Sequence, residues 1–126
     1  ANLQTQKNVT MLQSGRKGDF EAYFTFWSGR PDPNGNVYTF MTCKGAQNDQ
    51  HYCNQDVDAL LTKARQVAEP AERKKLYDQA TEIMAKDVPR LILWHRRVFT
   101  GFSTRVQGFT PYPDGIIRFR GLKLAN

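Results

Sequence analysis

Residues 20–27 read F-E-A-Y-F-T-F-W, and this stretch decides how the chain must fold. Alternation puts Ala22, Phe24 and Phe26 on one face and Tyr23, Thr25 and Trp27 on the other. Both faces are apolar or aromatic, the pattern of a strand covered on two sides in a mixed or parallel sheet. Such a strand needs one layer above it and another below. The helices read further along the chain form a single hairpin, and one hairpin covers one face.

Upstream, residues 2–6 read as a short extended segment and residues 9–16 as one or two helical turns, broken by Gly15 and Gly18. Downstream, S-G-R-P-D-P-N-G-N at residues 28–36 is a turn-forming loop. Residues 37–41 are apolar and carry no clear period. Two helices follow. Asn54 is a good N-cap, with Asp56 and Asp58 in the first turn, where the helix dipole favours anions. Val57, Leu60, Leu61, Ala64 and Val67 then recur at helical spacing. Pro70 opens the second helix, where its missing N–H costs nothing, and Pro89 ends it. Its apolar stripe is Leu76, Tyr77, Ala80, Ile83 and Met84. The short link through Glu69 predicts an antiparallel hairpin. Beyond Pro89 the period changes to two, and residues 90–95 and 98–102 read as strands, with a further extended run at 116–119. The order of strand, loop, two helices and strands is that of an α/β chain.

Composition narrows the function. With 126 residues, 40% of them apolar and 12% aromatic, the chain can build a core. No apolar run nears the roughly 18–20 residues needed to cross a bilayer. No basic-then-apolar leader opens at Ala1, so an export signal is expected upstream of it or already removed. The net charge of +6 raises nucleic acid as a partner. The bases are scattered, however, with tight groups only at Arg73-Lys74-Lys75 and Arg96-Arg97, and the first group fits a solvated helix face. A small basic nucleic-acid-binding domain is therefore the second reading.

Chemical motifs are weak throughout. G-x-S-x-G, H-E-x-x-H and a phosphate-cradling glycine loop have no match. His95 sits among strand-like apolar residues, where a structural role suffices, and spacing implies no Ser or Cys partner for it. The reading is a non-enzyme without cofactor or metal. Cys43 and Cys53 stand in a polar segment with His51 nearby, too few ligands for zinc, and they do not form a C-x-x-C pair. The plain reading is two buried free thiols. In an exported protein the same pair closes as a disulfide, and the polar, turn-rich surroundings favour this. The loop-entropy model assigns so short a crosslink roughly 2–3 kcal/mol.

The richest stretch is residues 27–36. A strand ending in Trp-Ser-Gly places an aromatic face and several donors where open α/β sheets bind ligands. Trp27 can stack on or wall a solute, Gly29 lets the backbone approach closely, and Arg30 can grip a carboxylate or phosphate with two parallel hydrogen bonds. The same residues also read as a core tryptophan, a tight turn and a surface arginine, and residue types alone do not choose.

A resemblance does choose. The run F-E-A-Y-F-T-F-W-S-G-R-P-D-P-N-G-N resembles the interlobe segment beside the ligand in the dipeptide-, oligopeptide-, glutathione- and opine-binding group of solute-binding proteins. It is followed in order by T-C-K-G, Y-C-N-Q-D-V-D-A-L-L, E-P-A-E-R-K-K-L-Y, D-V-P-R-L-I-L-W-H and V-Q-G-F-T-P-Y-P-D-G, so that the series covers nearly the whole chain. The resemblance implies the C-terminal part of a bilobed periplasmic-binding-protein fold, incomplete without an N-terminal part several times longer. Residues 1–19 would end the second lobe, residues 20–27 cross the hinge, and residues 28–126 return to the first lobe. It also implies an extracytoplasmic protein that captures a peptide-like or opine-like solute by lobe closure and delivers it to an ABC permease. Trp27, Ser28, Gly29 and Arg30 are the expected site residues, with Asp32 beside them. One departure stands out. In dipeptide binders an aspartate follows W-x-G and pairs with the peptide's ammonium, whereas this chain has Arg30. Either Asp32 takes that role from a displaced position, or the solute is anionic, such as an opine, a sugar acid or a γ-linked peptide.

Overall fold

The computed structural model describes residues 4–95, 97–112 and 114–125. The start of the expected extended segment at residues 2–6, and Arg96 of the Arg96-Arg97 pair, lie outside them. Among the described residues four helices and one short sheet make up the regular structure: α1 (Asn8–Lys17), α2 (Asn34–Met41), α3 (Gln55–Gln66), α4 (Pro70–Asp87), β1 (Val106–Gln107) and β2 (Lys123–Leu124). The two strands are antiparallel, Val106 opposite Leu124 and Gln107 opposite Lys123.

The core lies between α3, α4 and α2. Val57, Leu61 and Ala80 are buried at its centre, and Val37, Tyr38, Met41, Tyr52, Leu60, Tyr77, Ile83 and Met84 pack round them. Burying side chains such as Val57 and Leu61 contributes about 1.5–3 kcal/mol each. The helix signals act as expected. Asn54 Oδ1 accepts from the backbone N–H of Asp56 (3.0 Å) and Val57 (3.4 Å), and Glu69 caps α4 through the Glu72 N–H at 2.8 Å. At the far end of the hairpin, Asp87 accepts hydrogen bonds from the Tyr52 hydroxyl (2.6 Å) and the Asn54 amide (2.9 Å). The start of α3 thus meets the end of α4, which makes the pair antiparallel.

Cys43 and Cys53 are joined in a disulfide. The loop it closes is organised by buried Asn48, whose amide donates to the carbonyls of Thr42 (3.0 Å) and Tyr52 (2.7 Å). Asp58 on α3 accepts from the Cys43 N–H at 3.0 Å, fixing the loop to the helix.

Two local readings need correction. Gly15 does not break α1 but lies buried inside it, because Tyr23 packs there and a Cβ would come within 3.2 Å of the ring. Gly18, at φ 71°, is the residue that ends the helix, with its N–H on Gly15 and that of Asp19 on Ser14. Residues 34–36 are not loop but the first turn of α2, and the apolar run that follows them is helical, with Phe40 buried.

None of the strands expected at residues 20–27, 90–95, 98–102 and 116–119 forms among the described residues, and β1 and β2 lie outside them. Residues 23–30 and 91–95 run without helix or turn, but among the described residues only β1 and β2 are paired. The side chains expected to be covered are open: Phe26 is 74% exposed, Leu91 72% and Ile92 71%. Residues 97–102 and 116–119 also remain unpaired. A strand needs a neighbour to take its N–H and C=O groups, and the helical hairpin offers none. The Phe24 and Trp94 rings stack at 5.3 Å, so the first two open segments meet through side chains. An α/β organisation is present in part; the larger mixed sheet is not among the described elements. Among the described residues no helix is long and apolar enough to cross a membrane.

Candidate functional site

The turn at residues 27–36 is tied together by one side chain. Asn36, in the first turn of α2, accepts at Oδ1 from the Trp27 indole N–H (3.1 Å) and the Arg30 backbone N–H (2.6 Å). Its Nδ2 donates to the carbonyls of Arg30 (2.7 Å) and Asp32 (3.2 Å). Gly29 supplies the φ of 70° that reverses the chain before Arg30. Gly35 leaves room for the Arg30 stem, since a Cβ there would lie 3.0 Å from Arg30 Cβ and Cγ.

These bonds set the Arg30 side chain over Trp27, its guanidinium carbon 4.7 Å from the ring centre. Arg30 Nη1 also donates to Ser28 Oγ (3.0 Å) and to the Gly29 carbonyl (2.8 Å). No carboxylate pairs with Arg30 among the described residues. Trp27 meets buried Phe40 edge-on at 5.0 Å, which anchors the indole on α2. A guanidinium lying on an aromatic face with donors to spare suits a planar anion.

Asp32 is engaged elsewhere. Its carboxylate takes two parallel hydrogen bonds from Arg73 on α4, both at 2.7 Å, and accepts the Asn34 N–H at 2.8 Å. The Arg73 bonds, then the Asn34 bond, hold the carboxyl below its ordinary pKa. Arg73 is further fixed by bonds to the Ala64 carbonyl (3.0 Å) and Tyr77 hydroxyl (3.1 Å). A hollow of about 360 Å³, lined by Pro33, Val37, Arg73, Tyr77 and Met84 among others, runs beside this clamp. Trp27, Ser28, Gly29 and Arg30 therefore share one surface, and Asp32 turns from it toward α4.

Asn36, Phe40 and Arg73 went unread as parts of this turn. Asn36 looked like one more turn former in an Asn- and Gly-rich loop. Arg73 is 41 residues from Asp32 in sequence, and no local spacing links them. Among the described residues no group of three or more His, Cys, Asp or Glu could hold a metal ion.

No protein-family profile matches the chain. Curated relatives do. A di/tripeptide-binding protein of Pseudomonas aeruginosa is 31% identical over 82% of this chain and 20% of its own length. The dipeptide-binding protein of Escherichia coli is 26% identical over 98% of the chain and 24% of its own length. Heme-binding protein A of Haemophilus influenzae is 30% identical over 98% and 23%, respectively. Two more distant relatives are named as periplasmic proteins. The chain thus spans about a fifth to a quarter of the relatives it matches.

Proposed function

We propose, for a chain that belongs by sequence with the dipeptide- and di/tripeptide-binding proteins, that it is part of the solute-binding component of an ABC importer. It works outside the cytoplasm, where the Cys43–Cys53 disulfide persists. Its action is reversible capture of a peptide-like or opine-like solute between two lobes, without covalent chemistry, followed by delivery to a membrane permease. On this reading residues 1–19 close the second lobe, residues 20–27 cross the hinge, and residues 28–126 complete the first lobe against the remainder of the protein.

The observation that carries the reading is the turn itself: Arg30 lies on Trp27, free of any carboxylate among the described residues, while Asp32 two residues on is held by Arg73. In this arrangement the carboxylate that could take a peptide ammonium is occupied, and the cation is presented. Arg30 accordingly selects for negative charge on the solute. A charge-assisted, two-bond contact contributes roughly 1.5–3 kcal/mol, about ten- to hundredfold in affinity. Calorimetric titration of the intact protein tests this. Arg30→Ala should weaken an anionic solute by that factor and a neutral analogue by less, and Arg30→Lys should recover only part. Unchanged affinity in Arg30→Ala, with slightly lower stability, would show that the arginine merely holds the turn. Affinity for nucleic acid that falls steeply with salt would instead favour the second reading.

A further inference from the structure

A second guanidinium rests on the same aromatic pair. Arg90, just past Pro89, lies 4.3 Å from the centre of the Phe40 ring. Phe40 meets Trp27 edge-on at 5.0 Å, and Trp27 carries Arg30 at 4.7 Å. Each ring of the pair thus carries one cation.

Arg90 shares with Arg30 the lack of a paired carboxylate among the described residues, in contrast to two other fixed arginines. Arg73 is matched by Asp32 and Arg118 by Asp114. Arg90 is half-buried, yet among the described residues its guanidinium donates to the neutral Gln50 Oε1 (Nη2, 3.2 Å) and pairs with no carboxylate. Tyr23 and then Asp49 are the acidic groups whose field it feels, and the two are bonded to each other, Asp49 accepting the Tyr23 hydroxyl at 2.6 Å. Gln50 is itself held, its amide donating to the Phe40 carbonyl at 2.5 Å, so it keeps the guanidinium on the ring. Burial lowers the Arg90 pKa, which is the mark of a charge short of compensation. A half-buried cation is stable when an anion meets it.

We propose that Arg90 is a second anion-binding residue of the site, and that the solute carries two negative groups, one for Arg30 and one for Arg90, across the Trp27–Phe40 pair. This rests on the solute-binding reading above and deepens it: the preferred class is a dianionic peptide-like molecule, such as a peptide with an acidic side chain.

The test uses the intact protein with alanyl-glutamate and its near-isostere alanyl-glutamine, which differ by one carboxylate. The wild type should prefer the glutamate peptide about tenfold, the size of one charge-assisted contact. Arg90→Gln should bring the two peptides to equal affinity, chiefly by weakening alanyl-glutamate, while Arg90→Lys keeps part of the preference. Equal preference in wild type and Arg90→Gln overturns the proposal, as does a uniform loss for both peptides, which marks a structural role. A lowered melting temperature in Arg90→Gln with the preference intact means that a carboxylate of the polypeptide neutralises Arg90, and also overturns it. Glutarate, a bare dicarboxylate, separates the two levels of the argument. Should neither peptide bind, a melting temperature raised by glutarate in the wild type but not in Arg90→Gln upholds the second anion contact and removes the peptide reading. No rise in the wild type removes both.

Discussion

Asparagine carries an amide donor and a carbonyl acceptor on one short stem, and position 36 uses both ends. Aspartate has the same shape but acceptors only, so Asn36→Asp separates the two halves of the knot. It can still accept from the Trp27 indole and the Arg30 N–H, but it faces the carbonyls of Arg30 and Asp32 with oxygen instead of N–H. Asn36→Ala releases all four bonds. The expected loss is about 1 kcal/mol for the aspartate and about 1–2 for the alanine, because the turn is partly exposed and water replaces some of what is lost. Chemical denaturation measures this, and the indole N–H resonance of Trp27 should move in the alanine variant while that of Trp94 stays in place. A Trp27 resonance unmoved by either substitution would mean that Phe40 alone holds the ring. The candidate site was legible as a turn where chemistry is local: Trp27 to Arg30 stand out as an aromatic, a turn and a cation in sequence. The residues that orient them were not, since Asn36, Phe40 and Arg73 reach the turn through helix geometry and a contact 41 residues away.

At the scale of elements, the helical hairpin is held at its open end by Tyr52, Asn54 and Asp87. Hydrogen bonds from Tyr52 first, then Asn54, keep the Asp87 carboxyl below its ordinary value of 3.8. A depressed folded-state pKa means that the unfolded chain takes up the proton first. The contribution is therefore complete above about pH 5 and fades as pH falls through 4 and below. Asp87→Asn should lower the melting temperature near pH 7 and narrow its gap to the wild type by pH 3. An equal gap at both pH values would show that the charge of Asp87 is irrelevant to the tie. The hairpin was the most legible part of the fold: an N-cap, a proline at N1, two apolar stripes and a three-residue link all act locally. The strands were less so. Periodicity reports which faces want cover, whereas pairing depends on a neighbour that the same residues do not encode.

At the scale of the whole chain, a small helical core carries two long apolar segments that it does not cover. Phe26, Leu91 and Ile92 are each more than two-thirds exposed, and no backbone ladder joins residues 23–30 to 91–95 among the described residues. Contiguous exposed apolar surface of this kind favours association. The isolated chain should therefore bind a hydrophobic dye and sediment heavier than a monomer as its concentration rises. A monomer at high concentration with no dye signal would mean that the segments fold back and cover themselves. The hairpin has a further consequence, in time and not in space. Its core contacts lie close in sequence, the α3–α4 link is three residues, and the disulfide closes a short loop against α3. Little loop entropy opposes such contacts, so they form fast. On the proposed reading, sheet pairing of the open segments waits for the remainder of the protein. This stretch is then a folding seed that matures ahead of its surroundings, and the interval before its two apolar segments find their neighbours is when the protein is most open to aggregation.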